Sequence, residues 1–204
     1  MATWLAGQPD ADALLDRNAF ALLVGMVLDQ QIPIEKAFTA PYLLMQRLDV
    51  TDLDPATVAA TDVERLVDVF TGPPALHRFP RAMAERVHRL ARLLVDEYDG
   101  DAEALWRTAT TGQRVVERLA VLPGFGPQKA KIFLALLGKQ RGFRPRGWRQ
   151  AAEPFAAENS FLSVADVVDA ESLAKVRATK KEMKAGTKRL GSESALRRPR
   201  GRTR

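Results

Sequence analysis

Cysteine is missing from this 204-residue chain, and histidine occurs only as His77 and His88. A chain without thiols forms no disulfide, no thiolate-ligated zinc site and no cysteine-bound iron–sulfur cluster. Long apolar runs are missing as well: none approaches the roughly 20 residues that cross a bilayer, and the N-terminus lacks the charged-then-apolar pattern of a secretory signal. The sequence therefore predicts a cytoplasmic protein that binds no membrane and needs no cofactor.

Acidic residues are scarce near the C-terminus, and this imbalance sets the charge of the whole chain. Residues 180–204 carry ten basic and two acidic side chains, so the net charge of +6 for the chain leaves −2 for residues 1–179. After Gly186 the segment is rich in Gly, Ser, Pro and Arg, which predicts a disordered basic tail over residues 186–204. The tail either attracts phosphate without sequence preference or acts as a solubilising extension.

Strand-like alternation is also missing, whereas apolar residues recur at helical spacing along most of residues 1–185. The sequence therefore predicts an all-α domain over these residues. Pro41 should kink or split the helix that Pro33 begins, and Pro154 should perturb a helix over residues 148–157. The last helix should begin at Asp169 or Ser172 and run to about residue 185.

Residues 122–131, Leu-Pro-Gly-Phe-Gly-Pro-Gln-Lys-Ala-Lys, form the most informative segment. They join two helical segments within residues 113–138 through a very short turn. Pro123 cannot extend the first helix, the two glycines permit positive φ and close backbone approach, and Pro127 suits the start of the next helix. Unpaired amides at that helix N-terminus form a site for a phosphate. The alternative is a tight turn that only packs two helices together.

Two other nucleotide-binding patterns do not fit these glycines. The chain has no Gly-x-x-x-x-Gly-Lys-Ser/Thr sequence, and no β-branched strand precedes the turn, as a dinucleotide-binding crossover requires. The segment instead resembles the hairpin of the HhH-GPD superfamily of base-excision DNA glycosylases. Residues 20–32, an apolar run that ends in Asp29-Gln30-Gln31-Ile32, resemble the early core helix of that superfamily. The order and separation of the two segments are those that the family would give.

The resemblance implies a helix-hairpin-helix fold with two packed helical halves and a cleft between them. We expect a monomer that binds double-stranded DNA in the nucleoid and lacks the iron–sulfur cluster of some relatives. The residues implied at a DNA phosphate are Gly124, Phe125, Gly126, Gln128 and Lys129. A K⁺ or Na⁺ ion is implied at the carbonyls of Leu122 and Gly124. Gln30 and Gln31 would lie at the DNA face, one of them filling space beside a flipped nucleotide; the alternative is an exposed helix end.

Two positions depart from the pattern of the family. Gln128 stands where lyase-type members have a lysine that attacks the sugar, and Lys129 lies about 100° further around the helix. Any activity should then use water instead of an enzyme amine. Arg146 stands where most members have an aspartate. The carboxylates that follow are Glu153, which is the candidate catalytic residue, and the more distant Asp166 and Asp169.

Three functions remain open at this point. The first is a monofunctional DNA N-glycosylase that acts on a flipped damaged base, with Trp148 either stacking on that base or filling the core. The second is a non-catalytic relative that recognises damaged or distorted duplex. The third is a helical interaction protein that retains the scaffold for stability alone.

Overall fold

The computed structural model describes the backbone of residues 3–196 and the side chains of residues 3–185. Eleven α-helices and one 3₁₀ turn make up the regular structure of residues 3–196, and no β-strand occurs there. This architecture confirms the all-α prediction. In this part of the chain, no helix combines the length and apolar character needed to cross a membrane.

The helices follow one another through short connections. Their bounds are α1 (Pro9–Arg17), α2 (Ala19–Leu28), α3 (Ile34–Arg47), α4 (Pro55–Ala60), α5 (Val63–Thr71), α6 (Pro80–Tyr98), α7 (Ala104–Arg107), α8 (Gly112–Ala120), α9 (Pro127–Gln140), α10 (Trp148–Ala151) and α11 (Ala170–Leu196), with the 3₁₀ turn at Val164–Asp166. Helices α1 to α6 pack on one another, and α7 to α10 pack with the 3₁₀ turn, which α11 contacts. These groups are the two helical halves, and one buried core is continuous through both.

Helix α2 is the central element of the core because nearly all of its residues are apolar and buried. A helix that is apolar on every face is stable only when other elements surround it. Asn18 caps its N-terminus by accepting a hydrogen bond from the Ala21 amide at 2.7 Å. Gly25 lets α3 approach closely, since a Cβ at this position would lie 2.6 Å from Cδ1 of Phe38. The C-terminus of this buried helix therefore has a well-defined position.

Polar contacts join the two halves beside this core. Arg141, the residue that follows α9, donates to Asp16 Oδ1 of α1 at 2.9 Å. Arg177 of α11 forms an ion pair with Glu35 of α3 at 2.5 Å. These contacts hold α9 and α11 against the first half.

Pro41 disturbs its helix less than the sequence predicts, and Pro154 disturbs its helix more. Pro41 lies inside α3, which is not split. The predicted helix over residues 148–157 is wrong beyond Ala151, because a proline disfavours helical backbone at the residue before it and Pro154 follows Glu153. Asp169 accepts a hydrogen bond from the Ser172 amide at 2.7 Å, as expected of a residue at the start of the last helix.

The last helix extends beyond its predicted end near residue 185, since its backbone is helical to Leu196. The rest of the predicted basic tail, residues 197–204, lies outside the described residues.

Candidate nucleic-acid interface

The hairpin between α8 and α9 contains two glycines with backbone angles that favour glycine. Gly124 has a φ of +84° and Gly126 a φ of +103°. The Phe125 amide donates to the Leu122 carbonyl at 3.0 Å and closes the turn, while the Ala130 amide bonds to the Gly126 carbonyl to begin α9. The Phe125 ring packs edge-on against Phe133, with centroids 5.8 Å apart. The hairpin is therefore a fixed turn joined to the core.

The two glycines differ in what surrounds them. A Cβ at Gly124 would collide with Cδ of Arg86 and would lie 3.2 Å from Cγ1 of Val27, so this glycine lets the hairpin pack against α6 and α2. A Cβ at Gly126 would meet no atom within 4 Å. Gly126 is thus the glycine whose open side permits another molecule to approach the backbone.

Several backbone amides at this turn lack an acceptor in the described residues. No hydrogen bond from the amide of Gly124 or Gly126 occurs among residues 3–185. Gln128 and Lys129 lie in the first turn of α9, where amides have no intrahelical acceptor, and no side chain caps this end. These donors lie at the positive end of a 14-residue helix, an arrangement that suits an anion such as phosphate.

Lys129 points away from this amide cluster and contacts the end of α2. Its ammonium donates to the carbonyls of Met26 at 2.6 Å and Val27 at 2.9 Å. Burial lowers the pKa of Lys129 from 10.5 to about 8; the negative charge of Asp29 opposes this change, and Arg86 adds to it. A cation at the negative end of α2 stabilises that end electrostatically, so Lys129 joins the hairpin helix to the core helix.

The two glutamines after α2 have different environments. Gln30 is held inside: its amide nitrogen donates to the Val27 carbonyl at 2.8 Å, and its oxygen accepts from Arg86 at 3.3 Å. Gln31 is exposed and adopts a left-handed backbone with a φ of +56°. Non-glycine residues adopt this conformation uncommonly, and such residues occur frequently at functional sites. Gln31 is therefore available to contact DNA, whereas Gln30 supports the turn.

His77 fixes the same turn from the other side and is fully buried. Its Nε2 lies 3.0 Å from the Gln30 carbonyl, and its Nδ1 accepts from the Phe79 amide at 3.1 Å. A neutral imidazole with its proton on Nε2 satisfies both bonds. Burial lowers the pKa of His77, against the hydrogen bonds to the backbone, which raise it. The histidine thus has a structural role beneath the glutamines.

One cleft brings the two sequence segments together. It has a volume of about 1100 Å³, and its wall includes Gln30 and Gln31 on one side and Gly126, Gln128 and Lys129 on the other. Its basic side chains are Arg78, Lys129, Lys180 and Lys184. Asp29 is the one acidic side chain among the described residues that line it. The cleft is therefore cationic overall and contains a single carboxylate.

A family model for the HhH-GPD superfamily of base excision DNA repair proteins matches residues 24–195. This match includes both segments of the cleft and most of the chain. The chain belongs to this superfamily. No curated protein and no solved structure gives a significant match. The HhH-GPD protein is thus a base excision DNA repair protein with the all-α fold of its superfamily.

The structure places the candidate carboxylates of this HhH-GPD protein outside the cleft. Glu153 is exposed and lines a separate shallow hollow. Asp166 is buried and accepts hydrogen bonds from Lys139 at 2.5 Å and from two backbone amides of its own turn. Asp169 caps α11, and its hydrogen bonds with Ser172 lower its pKa. The carboxylates of Asp166 and Asp169 are therefore both accounted for by structural hydrogen bonds.

Trp148 and Arg146 also lie away from the cleft. Trp148 is 8 % exposed, and its ring packs so closely on Gly138 of α9 that a Cβ there would collide with it. This packing favours the core-filling alternative for Trp148 over a stacking role. Arg146 is exposed, and its carbonyl accepts a hydrogen bond from the Gly112 amide at 2.9 Å. The position where the family has an aspartate therefore lies in a loop fixed against α8.

The sequence reasoning missed four charged residues of the cleft. They are Asp29, Arg78, Lys180 and Lys184. Asp29 directly precedes the glutamine pair, and this adjacency is the signal that could have identified it. In the described part of the chain, no group of three or more His, Asp or Glu side chains is arranged to hold a metal ion. The predicted K⁺ or Na⁺ ion would instead use hairpin carbonyls, and this assignment stays a prediction.

Proposed function

We propose that this HhH-GPD protein is a monofunctional DNA N-glycosylase that excises a flipped damaged base from double-stranded DNA. The main support is the single cleft that combines the free amides around Gly126, the exposed Gln31 and four basic side chains. Base excision requires a phosphate anchor, a group that fills the space of the extruded nucleotide, and a pocket for the base. In this proposal the amides around Gly126 are the anchor, Gln31 is the space-filling group and the cleft is the pocket.

The dimensions and charge of the cleft suit a flipped nucleotide. Its volume of about 1100 Å³ is slightly larger than that of typical ligand pockets, which measure about 300–1000 Å³. Basic side chains and helix amides bind the backbone phosphates on either side of an extruded nucleotide. The phosphate at Gly126 would fix the register of the duplex, and Gln31 would occupy the gap in the base stack.

Water is the nucleophile in this proposal. Gln128 is exposed and offers no amine at the position used by lyase-type relatives. The Lys129 ammonium donates hydrogen bonds to the carbonyls of Met26 and Val27. At neutral pH it is protonated, so it has no lone pair with which to attack the sugar. Without an amine at the lyase position, the proposed reaction is hydrolysis of the glycosidic bond, which leaves the abasic strand intact.

Excision is tested with duplexes that contain uracil, alkylated purines, 8-oxoguanine or hypoxanthine. Alkali treatment after incubation cleaves the strand at any abasic site that the protein has produced. We expect cleavage of at least one duplex only after alkali, and no covalent protein–DNA adduct after borohydride reduction. Strand cleavage without alkali, or a borohydride adduct, would contradict the monofunctional assignment.

The phosphate anchor is tested at Gly126 with two matched variants. Gly126→Asp and Gly126→Asn impose the same backbone strain and nearly the same volume, but only the first adds a negative charge. Repulsion of a phosphate in a partly solvated site is worth about 1 kcal/mol or more, so Asp should bind duplex at least about fivefold more weakly than Asn. Equal affinities of the two variants at moderate salt would refute the anchor. Circular dichroism confirms that both variants are folded.

A non-catalytic DNA-binding relative is the second candidate function. The observation that favours it is the displacement of Arg146 and Glu153 from the cleft, which leaves the usual catalytic aspartate without a replacement in that segment. This candidate predicts tight binding to damaged or distorted duplex without excision of any base. The same panel of duplexes therefore separates the two functions.

A further inference from the structure

We propose that Asp29 is the catalytic carboxylate of the cleft. This inference rests on the proposed function and adds the residue that would act on the scissile sugar. In this assignment the carboxylate stabilises the positive charge that develops at C1′ and deprotonates the attacking water. In this assignment the catalytic carboxylate lies at the end of α2 and not in the loop after α9.

The position of Asp29 places it between the two DNA-binding segments. It is the first residue after α2, and its amide bonds to the Gly25 carbonyl at 2.9 Å, which fixes its backbone. It lines the main cleft and also an adjoining hollow formed with Lys180 and Lys184. The residue directly before Gln30 and Gln31 therefore faces the space that a flipped nucleotide would occupy.

No hydrogen bond of the described residues accounts for a carboxylate at this position, although the charges of Lys180 and Lys129 act on it. Among the hydrogen bonds of residues 3–185, none ends on the Asp29 carboxylate. Other partly or fully buried carboxylates of this protein are paired: Asp12 accepts from the amides of Leu5 and Ala6, both at 2.8 Å. Asp166 has Lys139 and two amides. A carboxylate that is removed from water without such donors reduces stability, so its presence in a cleft indicates a function.

The electrostatic environment of Asp29 suits a general base. Burial raises the pKa of its carboxyl, while the positive charges of Lys180 and Lys129 lower it. These cations face Asp29 from α11 and α9, and no ion pair within 4.0 Å joins either of them to it among the described residues. A carboxylate whose pKa lies nearer to the working pH accepts a proton more effectively than an ordinary aspartate.

The proposed step is a hydrolysis in which every atom is accounted for. The bond between C1′ and the base nitrogen breaks, and its electron pair leaves with the base. Asp29 stabilises the cationic sugar and removes a proton from water as the water oxygen bonds to C1′. The proton then passes to the departing base, so the products are the free base and an abasic sugar with a 1′-hydroxyl.

The main test uses substrates without a base, so its result does not depend on which base the protein excises. Two duplexes are compared, one with a neutral tetrahydrofuran abasic analogue and one with a pyrrolidine analogue whose ring nitrogen is protonated at neutral pH. The cationic ring resembles the sugar in the transition state and should bind at least about tenfold more tightly than the neutral ring. Asp29→Asn and Asp29→Ala should reduce this preference to within about twofold, because both remove the negative charge.

Glu153→Gln is the matched control, since it neutralises a carboxylate outside the cleft and should leave the preference unchanged. Asp29→Asn should also unfold at the same temperature as the wild-type protein or at a higher one, because it removes a poorly solvated charge. With any duplex that the wild-type protein cleaves, Asp29→Asn should slow single-turnover excision at least about 100-fold.

The outcomes distinguish this inference from the function on which it rests. If the wild-type protein binds both abasic duplexes equally, or if the Asp29 variants retain the preference, the assignment of Asp29 is refuted while DNA binding stands. An Asp29→Asn variant that loses affinity for both rings alike would also refute it, since the residue would then hold the DNA in place. If the wild-type protein binds neither duplex, both the proposed function and the assignment are refuted.

Discussion

Replacing Lys129 with methionine should remove a specific pH dependence from the stability of this protein. Burial lowers the pKa of the Lys129 ammonium from 10.5 to about 8 in the folded state. Between these two values the unfolded chain holds one more proton than the folded chain, so the free energy of unfolding rises with pH. The methionine variant has no such proton and should lack this rise.

The magnitude follows from the same two pKa values. Integrating the proton difference from about pH 7 to about pH 9.5 gives a rise of about 2 kcal/mol in the wild-type protein relative to the variant. Loss of the hydrogen bonds to Met26 and Val27 destabilises the variant as well. That loss lowers the free energy of unfolding of the variant by an amount that changes much less with pH. Groups that titrate alike in both proteins cancel in the difference between their free energies of unfolding.

The assay is urea unfolding of both proteins at several values from about pH 7 to about pH 9.5, with linear extrapolation to water. Lys181→Met is the control, because it removes an exposed lysine of α11. Its stability difference from the wild-type protein should stay nearly constant over this range. A constant difference for Lys129→Met as well would refute the buried position of the ammonium and its role in joining α9 to α2.

Three further predictions concern other parts of the chain. Because the folded pKa of His77 is lowered, the wild-type protein should lose stability as the pH falls through about 6.5 and below, and His77→Gln should flatten this loss in thermal unfolding between about pH 5 and pH 7. Gly138→Ala should lower the free energy of unfolding by up to about 2 kcal/mol, since the collision with Trp148 costs about 1–3 kcal/mol and the gain in helix propensity returns about 1 kcal/mol; a higher stability of the variant would contradict the close contact. Deletion of residues 187–204 should make the salt dependence of duplex affinity less steep, and an unchanged slope in fluorescence titrations would show that the basic tail does not contact DNA.

The hairpin was the part of the site that the sequence predicted well, because its determinants are local. Pro123, the two glycines and Pro127 restrict the backbone within a few residues, so the turn does not depend on distant contacts. Helix α2 was predictable for a related reason, since a run of apolar residues must be buried whatever surrounds it. The family resemblance followed from these two segments.

The electrostatic part of the site depends on contacts that local patterns do not contain. The partners of Lys129 lie 103 and 102 residues earlier in the chain, so its direction could not be inferred from helical spacing. Asp29 faces the cleft because α9 and α11 pack beside the end of α2. Glu153 is the first carboxylate after Arg146 in the sequence, but Pro154 ends the helical pattern there and the side chain lies outside the cleft.

The different surroundings of Gly124 and Gly126 divide the hairpin into a position that packs against the rest of the protein and a position that is open to a ligand. Substitutions at Gly124 must displace Arg86 or Val27, so they would reduce the amount of soluble protein in a cell together with its repair activity. A Cβ at Gly126 would meet no neighbouring atom, so a substitution there costs the strain of a positive φ without displacing a packed side chain. A scan of all amino acids that records abundance and repair separately would therefore show intolerance in both measurements at the first glycine, and mainly in repair at the second.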